Sequence, residues 1–457
     1  MSPRVHRPSP ARRFVDPVSH TPFFSERSVH SRVSQVHCEG VPLERVAESC
    51  GTPAYLYSRS AITAAYRRLD RAFGRLPHAL CYAVKANANL AILRLFASLG
   101  SGFDIVSGGE LDRLRRIGVP GSRIVFSGVG KSREEIREAL CYPGTRKSRD
   151  EQGILLFNIE SEAELDVLAA EAARRGSSRE APPSVSIRVN PDVQAGAHPH
   201  ISTGFRDHKF GLDWPAARRL YLAHRDSRWI HWQGVSSHIG SQITSLAPFR
   251  RALLRLAEYV RDLSRAGIVL RYLDFGGGLG IRYAHEHAPS YVSYAHALTS
   301  IVKPLGCHLL LEPGRALVGP AGVLLTRVLY TKQNRGKTFV IVDAAMNDLI
   351  RPALYGAVHP ITKVVHESLA SAPRRSTVDV VGPVCETGDC LIHDWPLEEV
   401  KPGDLLAIWG AGAYGFAQSS NYNSRPRAAE VLVEGNRFRI IRRRESREDM
   451  VRGEAAR

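Results

Sequence analysis

Short apolar runs alternate with longer segments of helical period between residue 79 and about residue 315. In the short runs the apolar positions are nearly continuous, whereas in the longer segments they recur every three or four residues. The longer segments include ESEAELDVLAAEAARR and APFRRALLRLAEYVRDLSRAG. This alternation is typical of parallel strands that are joined by crossover helices.

The number of apolar runs indicates the architecture of this region. In chain order the runs are ALCYAVK, GFDIVS, RIVFS, ILLFN, VSIRVN, WQGVSSH, LRYLDF and HLLLE. Eight strands with intervening helices are the count that a (β/α)8 barrel of the TIM type requires. We therefore predict an α/β barrel over residues 61–315, with an open doubly wound sheet as the alternative.

After residue 315 the helical period largely disappears. Runs rich in Val and Ile follow between Gly and Pro turns, among them AGVLLTRVLYTK, KTFVIVDA, STVDVVGPV, DLLAIWG and AAEVLVEG. This pattern predicts an antiparallel β domain over residues 316–440. The strand-like TPAYLYS lies before the barrel, and we expect residues 31–60 to join the β domain. Segments rich in Pro, Gly and Ser near 143–152 and 176–184 are typical of surface insertions.

The composition limits the classes of partner. At 457 residues with 44% hydrophobic content, the chain can form two or three domains. Its net charge of +17 suggests nucleic acid, but residues 1–32 and 437–457 each carry about +4 of it. The remainder forms no basic stripe with interleaved aromatic residues, so we expect no nucleic-acid partner. We expect residues 1–30 to form a disordered tail rather than a transit peptide, and residues 441–457 to form a basic tail.

The cysteines and the absence of long apolar runs indicate the compartment. The seven cysteines are widely spaced, with no CxxC pair, which argues against a disulfide framework and against a zinc site. No apolar run approaches the ~18 residues of a membrane span. We therefore expect a cytoplasmic protein with no metal and no membrane partner.

Candidate catalytic residues follow the strand-like runs, because barrel enzymes carry their chemistry at the carboxyl ends of the strands. The first run ends at Lys85, and the chain has only nine lysines against 53 arginines. Burial at a strand end would favour the free amine that a Schiff base requires, whereas a lysine that reaches solvent is the alternative. Asn87 and Asn89 are expected to cap the next loop or helix.

Three further runs end in residues that suit one cofactor. His238 could stack on a planar ring, Gly276, Gly277 and Gly278 could approach a phosphate, and Glu312 could hold a protonated ring nitrogen. Taken singly, each has an ordinary alternative: a structural histidine, a flexible turn, or a buried ion pair between the glutamate and the following arginine. Together with a lysine at the same barrel mouth, they predict pyridoxal 5'-phosphate.

The ordered motifs of the chain resemble those of the diaminopimelate decarboxylases. These are pyridoxal-phosphate enzymes with an alanine-racemase-like barrel and a C-terminal β domain. The resemblance covers about residues 52–433 and includes YAVKAN, GFDIVSGGEL, HISTGF with KFG, SSHIGSQ, LDFGGGLG, LEPGR, MNDLIRPALYGA, GPVCETGD and GAYGFAQSSNYNSRPR. One departure is Thr387, which stands where the family usually has Ser.

The resemblance implies a role for individual residues of this chain. Lys85 matches the Schiff-base lysine, His238 the ring-stacking residue and Cys385 the proton donor, and these three are the predicted catalytic residues. The implied cofactor-binding residues are Lys85, His238, Gly240, Gly276, Gly277, Gly278, Glu312, Pro313, Gly314, Arg315 and Tyr414. The implied substrate-binding residues are Arg315, Arg351, Tyr355, Glu386 and Tyr414.

The resemblance also implies the reaction and the assembly. The reaction is decarboxylation of meso-2,6-diaminopimelate to L-lysine and CO₂ through a pyridoxal-phosphate aldimine, the last step of lysine biosynthesis. The proton donor comes from the partner subunit, so the active site requires a homodimer. Arginines for a distal carboxylate and Glu386 for a distal ammonium favour a substrate with an amino acid at both ends. The alternative is a related decarboxylase that acts on ornithine, arginine or a carrier-linked amino acid; a racemase or an inactive homologue fits less well.

Overall fold

The structure is a computed structural model that describes residues 16–30, 33–143, 153–175, 182–194, 209–367 and 374–455. Half of the predicted N-terminal tail (residues 1–15), most of the two predicted surface insertions and the HISTGF motif lie outside the described residues. Within the described part of the chain, no helix is long and apolar enough to cross a membrane.

The strands are, in chain order, β1 (Phe24–His30), β2 (Val33–Cys38), β3 (Val41–Pro42), β4 (Ala54–Ser58), β5 (His78–Ala83), β6 (Gly102–Ile105), β7 (Ile124–Phe126), β8 (Leu156–Ile159), β9 (Ser184–Arg188), β10 (His231–Ser236), β11 (Tyr272–Asp274), β12 (His308–Leu311), β13 (Gly322–Asn334), β14 (Lys337–Val342), β15 (Ile361–Lys363), β16 (Val365–Glu367), β17 (Arg375–Val381), β18 (Cys390–Glu398), β19 (Leu405–Ile408), β20 (Ala429–Glu434) and β21 (Arg437–Arg442).

The α-helices are α1 (Leu43–Cys50), α2 (Arg59–Ala72), α3 (Leu90–Ser98), α4 (Gly108–Arg116), α5 (Arg133–Leu140), α6 (Glu162–Arg174), α7 (Trp214–Ala223), α8 (Leu246–Arg265), α9 (Tyr291–Val302), α10 (Arg315–Val318), α11 (Arg351–Tyr355) and α12 (Arg447–Val451).

The described chain forms two compact units. The barrel unit comprises the described residues of Thr63–Ile281 and His287–Leu317. The β unit comprises those of Met1–Ile62, Arg282–Glu286 and Val318–Arg457.

The barrel unit contains a closed parallel barrel. Among the described residues its eight strands run in chain order from β5 to β12, and β12 pairs with β5 to close the ring. The eight apolar runs of the sequence correspond to these strands, so the barrel prediction is confirmed and the open doubly wound sheet is wrong. The runs are continuous because strands of a parallel barrel are buried on both faces.

Capping side chains fix where the barrel helices begin. At the start of α3 to α9, a side-chain oxygen accepts a hydrogen bond from a backbone N–H of the first turn, which satisfies a donor that lacks a partner inside the helix. The capping residues are Asn89, Ser107, Ser132, Ser161, Asp213, Ser245 and Ser290. The predicted cap at Asn89 is confirmed, and the Asn87 side chain accepts from the Asn89 amide at 3.0 Å.

The β unit is built on a mixed sheet. Its main strand order is β18-β17-β14-β13-β4-β20-β21, with β19 paired to β13 and β15. The predicted β domain is confirmed, and TPAYLYS joins it as β4. Most pairs are antiparallel, as expected, but β14 pairs with β17 and β4 with β20 in parallel. The latter pairing is not a hairpin, because the whole barrel lies between these two strands in sequence.

Both ends of the described chain carry ordered structure. Strand β1 lies inside the segment 1–30 that the composition assigned to a disordered tail, and it pairs with β2. Phe24 is buried there and its ring meets that of Trp409 edge-on at 5.2 Å. Helix α12 lies inside the predicted basic tail, where Ser446 and Asp449 form a capping box.

Candidate active site at the mouth of the barrel

A cavity of about 400 Å³ opens where the barrel strands end. Its lining includes Lys85, His238 and Glu312, which the sequence singled out, together with Asn158 and Asp274. These residues lie at or near the carboxyl ends of five different strands, so barrel closure brings them together. The volume lies in the range of natural sites for small cofactors.

Lys85 lies in a short 3₁₀ helix, Val84–Ala86, directly after β5. Its Nζ donates to the Asp104 Oδ2 at 2.9 Å, and the Asp104 side chain is fully buried on β6. The lysine side chain itself is 38% exposed. The expectation of a desolvated amine that finishes the strand is therefore wrong, and Lys85 is instead an ion-pair partner of a buried carboxylate.

His238 follows β10 and lies with its ring against the glycine loop. Its Nδ1 accepts a hydrogen bond from the Gly277 amide at 3.1 Å, which fixes the ring orientation. Burial, with smaller effects from Arg188 and Lys85, lowers the pKa of His238 well below 6.5. The imidazole is therefore neutral at physiological pH, which suits a residue that covers an aromatic ring.

The three glycines after β11 permit neighbouring loops to approach closely. A Cβ at Gly277 would lie 2.3 Å from the Glu312 carbonyl oxygen, and one at Gly278, whose φ is +99°, would lie 2.5 Å from the Gly240 carbonyl oxygen. The Gly276 amide donates to Asp274 Oδ1 at 3.0 Å. The amides of Gly276 and Gly277 are thus engaged within the protein, and the loop joins the ends of three strands.

Glu312 and Asp274 both line the cavity, and burial favours the protonated form of each. Burial raises the pKa of Glu312 well above 4.5, and the charges of Asp104 and Asp274 raise it further. Burial also raises the pKa of Asp274 to about 6, although its hydrogen bonds, one of them from Glu312, oppose this. Ser127 Oγ donates to Glu312 Oε1 at 3.2 Å, and Asn158 Nδ2 donates to Asp274 Oδ2 at 2.8 Å. Glu312 therefore holds the proton and Asp274 accepts it.

The segment after Glu312 packs against the lysine turn. The Pro313 carbonyl accepts from the amide of the last residue of β5 at 3.2 Å. A Cβ at Gly314 would lie 2.9 Å from the Ala86 Cβ, so a larger residue would displace the lysine turn. Arg315 donates from Nη2 to the Ser241 hydroxyl at 2.8 Å.

The sequence interpretation missed several polar residues in or beside the cavity, among them Asp104, which pairs with Lys85, and Ser127, Asn158 and Asp274, which line the cavity. Asp104 and Asp274 lie inside the apolar runs GFDIVS and LRYLDF, while Ser127 and Asn158 end two others. A carboxylate in an otherwise apolar run was the available signal, because a buried charge requires a partner.

The polar groups of the cavity fit pyridoxal phosphate. The carboxylic groups of Asp104, Asp274 and Glu312 are buried near the Lys85 ammonium, and a protonated ring nitrogen would supply a further positive charge. The buried hydroxyls of Ser236 and Ser237, which line the cavity, have no hydrogen-bond partner among the described residues. Such hydroxyls suit a polar ligand.

The other predicted site residues lie in the β unit. Arg351 begins α11 and is only 4% exposed, and its Nη1 lies 2.6 Å from His359 Nε2. The Tyr355 hydroxyl accepts from Gln418 Nε2 at 3.1 Å. Tyr414 adopts a left-handed backbone with φ of 57°, a strained conformation for a non-glycine residue that is common at functional sites.

A buried carboxylate shapes the GPVCETGD loop. The two oxygens of Asp389 accept from the Met346 amide at 2.6 Å and from the Val384 amide at 2.7 Å. The loop folds around this carboxylate and leaves Cys385 and Glu386 exposed.

Comparisons of the sequence with known proteins all indicate the same family. The model for the pyridoxal binding domain of pyridoxal-dependent decarboxylases matches residues 59–319. The chain is 48% identical to the diaminopimelate decarboxylase of Neisseria meningitidis serogroup A, over 92% of this chain and 98% of that protein. It is likewise 48% identical to that of Pseudomonas aeruginosa, over 93% and 98%.

A solved structure supports the same assignment. The diaminopimelate decarboxylase of Helicobacter pylori, complexed with L-lysine, superposes with a TM-score of 0.82 at 40% identity and covers 90% of this chain and 98% of its own. Similarity of this extent in sequence and in fold places the protein in a family. The chain belongs to the diaminopimelate decarboxylase family of pyridoxal-dependent decarboxylases.

Proposed function

We propose that this chain decarboxylates meso-2,6-diaminopimelate to L-lysine and CO₂ with pyridoxal phosphate as its cofactor. One observation of the structure carries the proposal: Lys85, His238 and the buried carboxyl groups of Glu312 and Asp274 line one cavity. The named activity of relatives that are 43–48% identical supports the choice of substrate.

The residues of the barrel unit would hold the cofactor. When bound, pyridoxal phosphate supplies the electron sink that makes loss of CO₂ possible. Lys85 would carry the cofactor, His238 would cover a face of its ring, and Glu312 would face the ring nitrogen. Glu312 would hold a protonated ring nitrogen through a charge-assisted hydrogen bond.

Further residues would hold the phosphate and the periphery of the cofactor. We assign this role to Gly240, Gly276, Gly277, Gly278, Pro313, Gly314, Arg315 and Tyr414. The close approach of Gly278 to Gly240 supports the assignment, because it holds the two loops in a fixed arrangement, whereas the amides of Gly276 and Gly277 already donate within the protein.

The substrate carries an amino acid at each end, and the proposed residues match its distal end. Arg315, Arg351 and Tyr355 would bind the distal carboxylate, and Tyr414 would also contact the substrate. Glu386 would accept from the distal ammonium. A guanidinium that binds a carboxylate through two N–H groups distinguishes this substrate from a diamine precursor with a bare distal amine.

We further propose a homodimer in which Cys385 is supplied by the partner subunit. Its thiol would protonate the carbon that has lost CO₂. The exposure of Cys385 and Glu386 in the single chain supports this assignment, because a proton donor requires access to substrate. Light scattering should give twice the 50.4 kDa mass of the chain.

Measurement of CO₂ and L-lysine released from meso-diaminopimelate, with and without added cofactor, tests the function. We expect cofactor-dependent turnover in which the two products appear in equal amounts. Ornithine and arginine serve as controls and should be poor substrates. Turnover of ornithine without turnover of diaminopimelate would contradict the proposal.

A further inference from the structure

A buried histidine holds the guanidinium of Arg351. His359 is fully buried, and its Nδ1 lies 2.8 Å from the Trp409 carbonyl oxygen. A carbonyl can only accept, so Nδ1 carries the hydrogen. The other ring nitrogen, Nε2, lies 2.6 Å from Arg351 Nη1, and a guanidinium can only donate. His359 in this arrangement is neutral and accepts from Arg351.

An aromatic ring completes the support of the same guanidinium. The Arg351 Cζ lies 5.0 Å from the centroid of the Tyr283 ring. Tyr283 in turn meets His359 nearly edge-on, with centroids 5.1 Å apart and planes at 73°. Gly410 has a φ of +68°, and a Cβ there would lie 3.0 Å from Tyr283 Cδ1. We call Tyr283 and His359 the guanidinium cradle.

The cradle fixes the guanidinium without adding negative charge of its own. A carboxylate in the place of His359 would bind Arg351 more strongly and would compete with an anionic ligand for its charge. A neutral imidazole accepts one N–H and leaves the formal charge unchanged, while the ring face of Tyr283 attracts the cation without acting as a base. Such a support can orient an arginine for binding a carboxylate ligand.

We propose that His359 is a positioning residue that orients Arg351 toward the distal carboxylate of the substrate. The inference rests on the proposed function, because it deepens the role given there to Arg351. It predicts that His359 controls affinity for ligands that carry a carboxylate at the distal end. L-Lysine, the product, keeps that carboxylate, whereas cadaverine has only an amine there.

Two substitutions separate the two hydrogen bonds of His359. In His359→Asn the shorter amide can still donate to the Trp409 carbonyl but does not reach Arg351. In His359→Gln the longer side chain places an amide oxygen near the position of Nε2, where it accepts from Arg351. The two variants are similar in polarity, so a difference between them reports on the contact with the guanidinium.

Dissociation constants of L-lysine and cadaverine for the cofactor-loaded protein, measured by calorimetry, test the inference. We expect His359→Asn to raise the dissociation constant of L-lysine about tenfold, as for loss of a hydrogen bond to a charged group. The dissociation constant of cadaverine should stay unchanged. The KM for diaminopimelate should rise in parallel, with kcat and the absorbance band of the bound cofactor retained. His359→Gln should recover most of the affinity for L-lysine.

Equal weakening of both ligands, or equal loss in the two variants, would show that His359 acts only in folding and would overturn the inference. Unchanged L-lysine affinity in His359→Asn would also overturn it. If this variant does not fold, Tyr283→Leu replaces it, and this substitution should weaken the binding of L-lysine more than the binding of cadaverine. Wild-type protein without diaminopimelate turnover would instead end the proposed function, and the ratio of the two dissociation constants would still decide the role of His359.

Discussion

Replacing Glu312 by Gln tests whether this residue holds a proton in the folded chain. Gln has nearly the shape of a protonated Glu, so its amide can donate to Asp274 and accept from Ser127 as the carboxylic acid does. The substitution therefore removes an acid from the cavity without removing its hydrogen bonds. We expect the cofactor-free variant to be more stable than the wild type at neutral pH.

The raised pKa of Glu312 gives the sign and the size of the effect. In the unfolded chain the residue ionises near its ordinary value of 4.5, whereas in the folded chain it keeps its proton to a much higher pH. Above pH 4.5 the folded state then binds one proton more than the unfolded state, so the free energy of unfolding falls as pH rises, by about 1.4 kcal/mol per unit. By pH 7 the upper limit of this cost is about 3.5 kcal/mol, and the coupling to Asp274 spreads it over the pair.

Thermal midpoints of the cofactor-free proteins between pH 5 and pH 8 measure this effect. The midpoint of Glu312→Gln should exceed that of the wild type at pH 8, and the gap should shrink toward pH 5. Glu399→Gln, at an exposed carboxylate, is the matched control and should show no gap that depends on pH. A wild type more stable than the variant at pH 8 would refute the assignment of the proton. In the cofactor-loaded enzyme, by contrast, we expect Glu312→Gln to be less active than the wild type. Loss of a charge-assisted hydrogen bond should lower turnover about 10- to 100-fold.

Other predictions concern the cofactor, the dimer and the glycine loop. Lys85→Ala should abolish turnover and the absorbance band of protein-bound cofactor together, and normal turnover would exclude Lys85 as the residue that carries it. Mixed and re-equilibrated Lys85→Ala and Cys385→Ala proteins, each inactive alone, should recover about a quarter of wild-type activity if the site is shared between subunits; no recovery would contradict a shared site. Gly277→Ala should lower the free energy of unfolding by about 1–3 kcal/mol and weaken cofactor binding, because the new Cβ would meet the Glu312 carbonyl. Gly453→Ala is the control, since a Cβ there meets nothing within 4 Å. An effect of Gly277→Ala no larger than that of the control would show that the loop can relax.

The sequence by itself determined the architecture. Continuous apolar runs separated by segments of helical period specify strands that are buried on both faces. This pattern involves only residues close together in sequence, so it can be recognised without a structure. The same pattern placed Lys85, His238 and Glu312 at strand ends. Closure of the barrel then brings them to one mouth, which is a property of the fold class rather than of any single contact.

Only the tertiary structure decided the electrostatics of the site and the supports of its residues. Lys85 is ion-paired with Asp104 rather than desolvated, and the pKa values of Glu312 and Asp274 are raised, because barrel closure buries acids from separate strands beside one another. The parallel pairing of β4 with β20 and the contact of His359 with Arg351 likewise join segments whose proximity no periodicity encodes. Periodicity specifies which side of an element is buried, whereas proton positions and charge balance depend on which other groups are buried beside it.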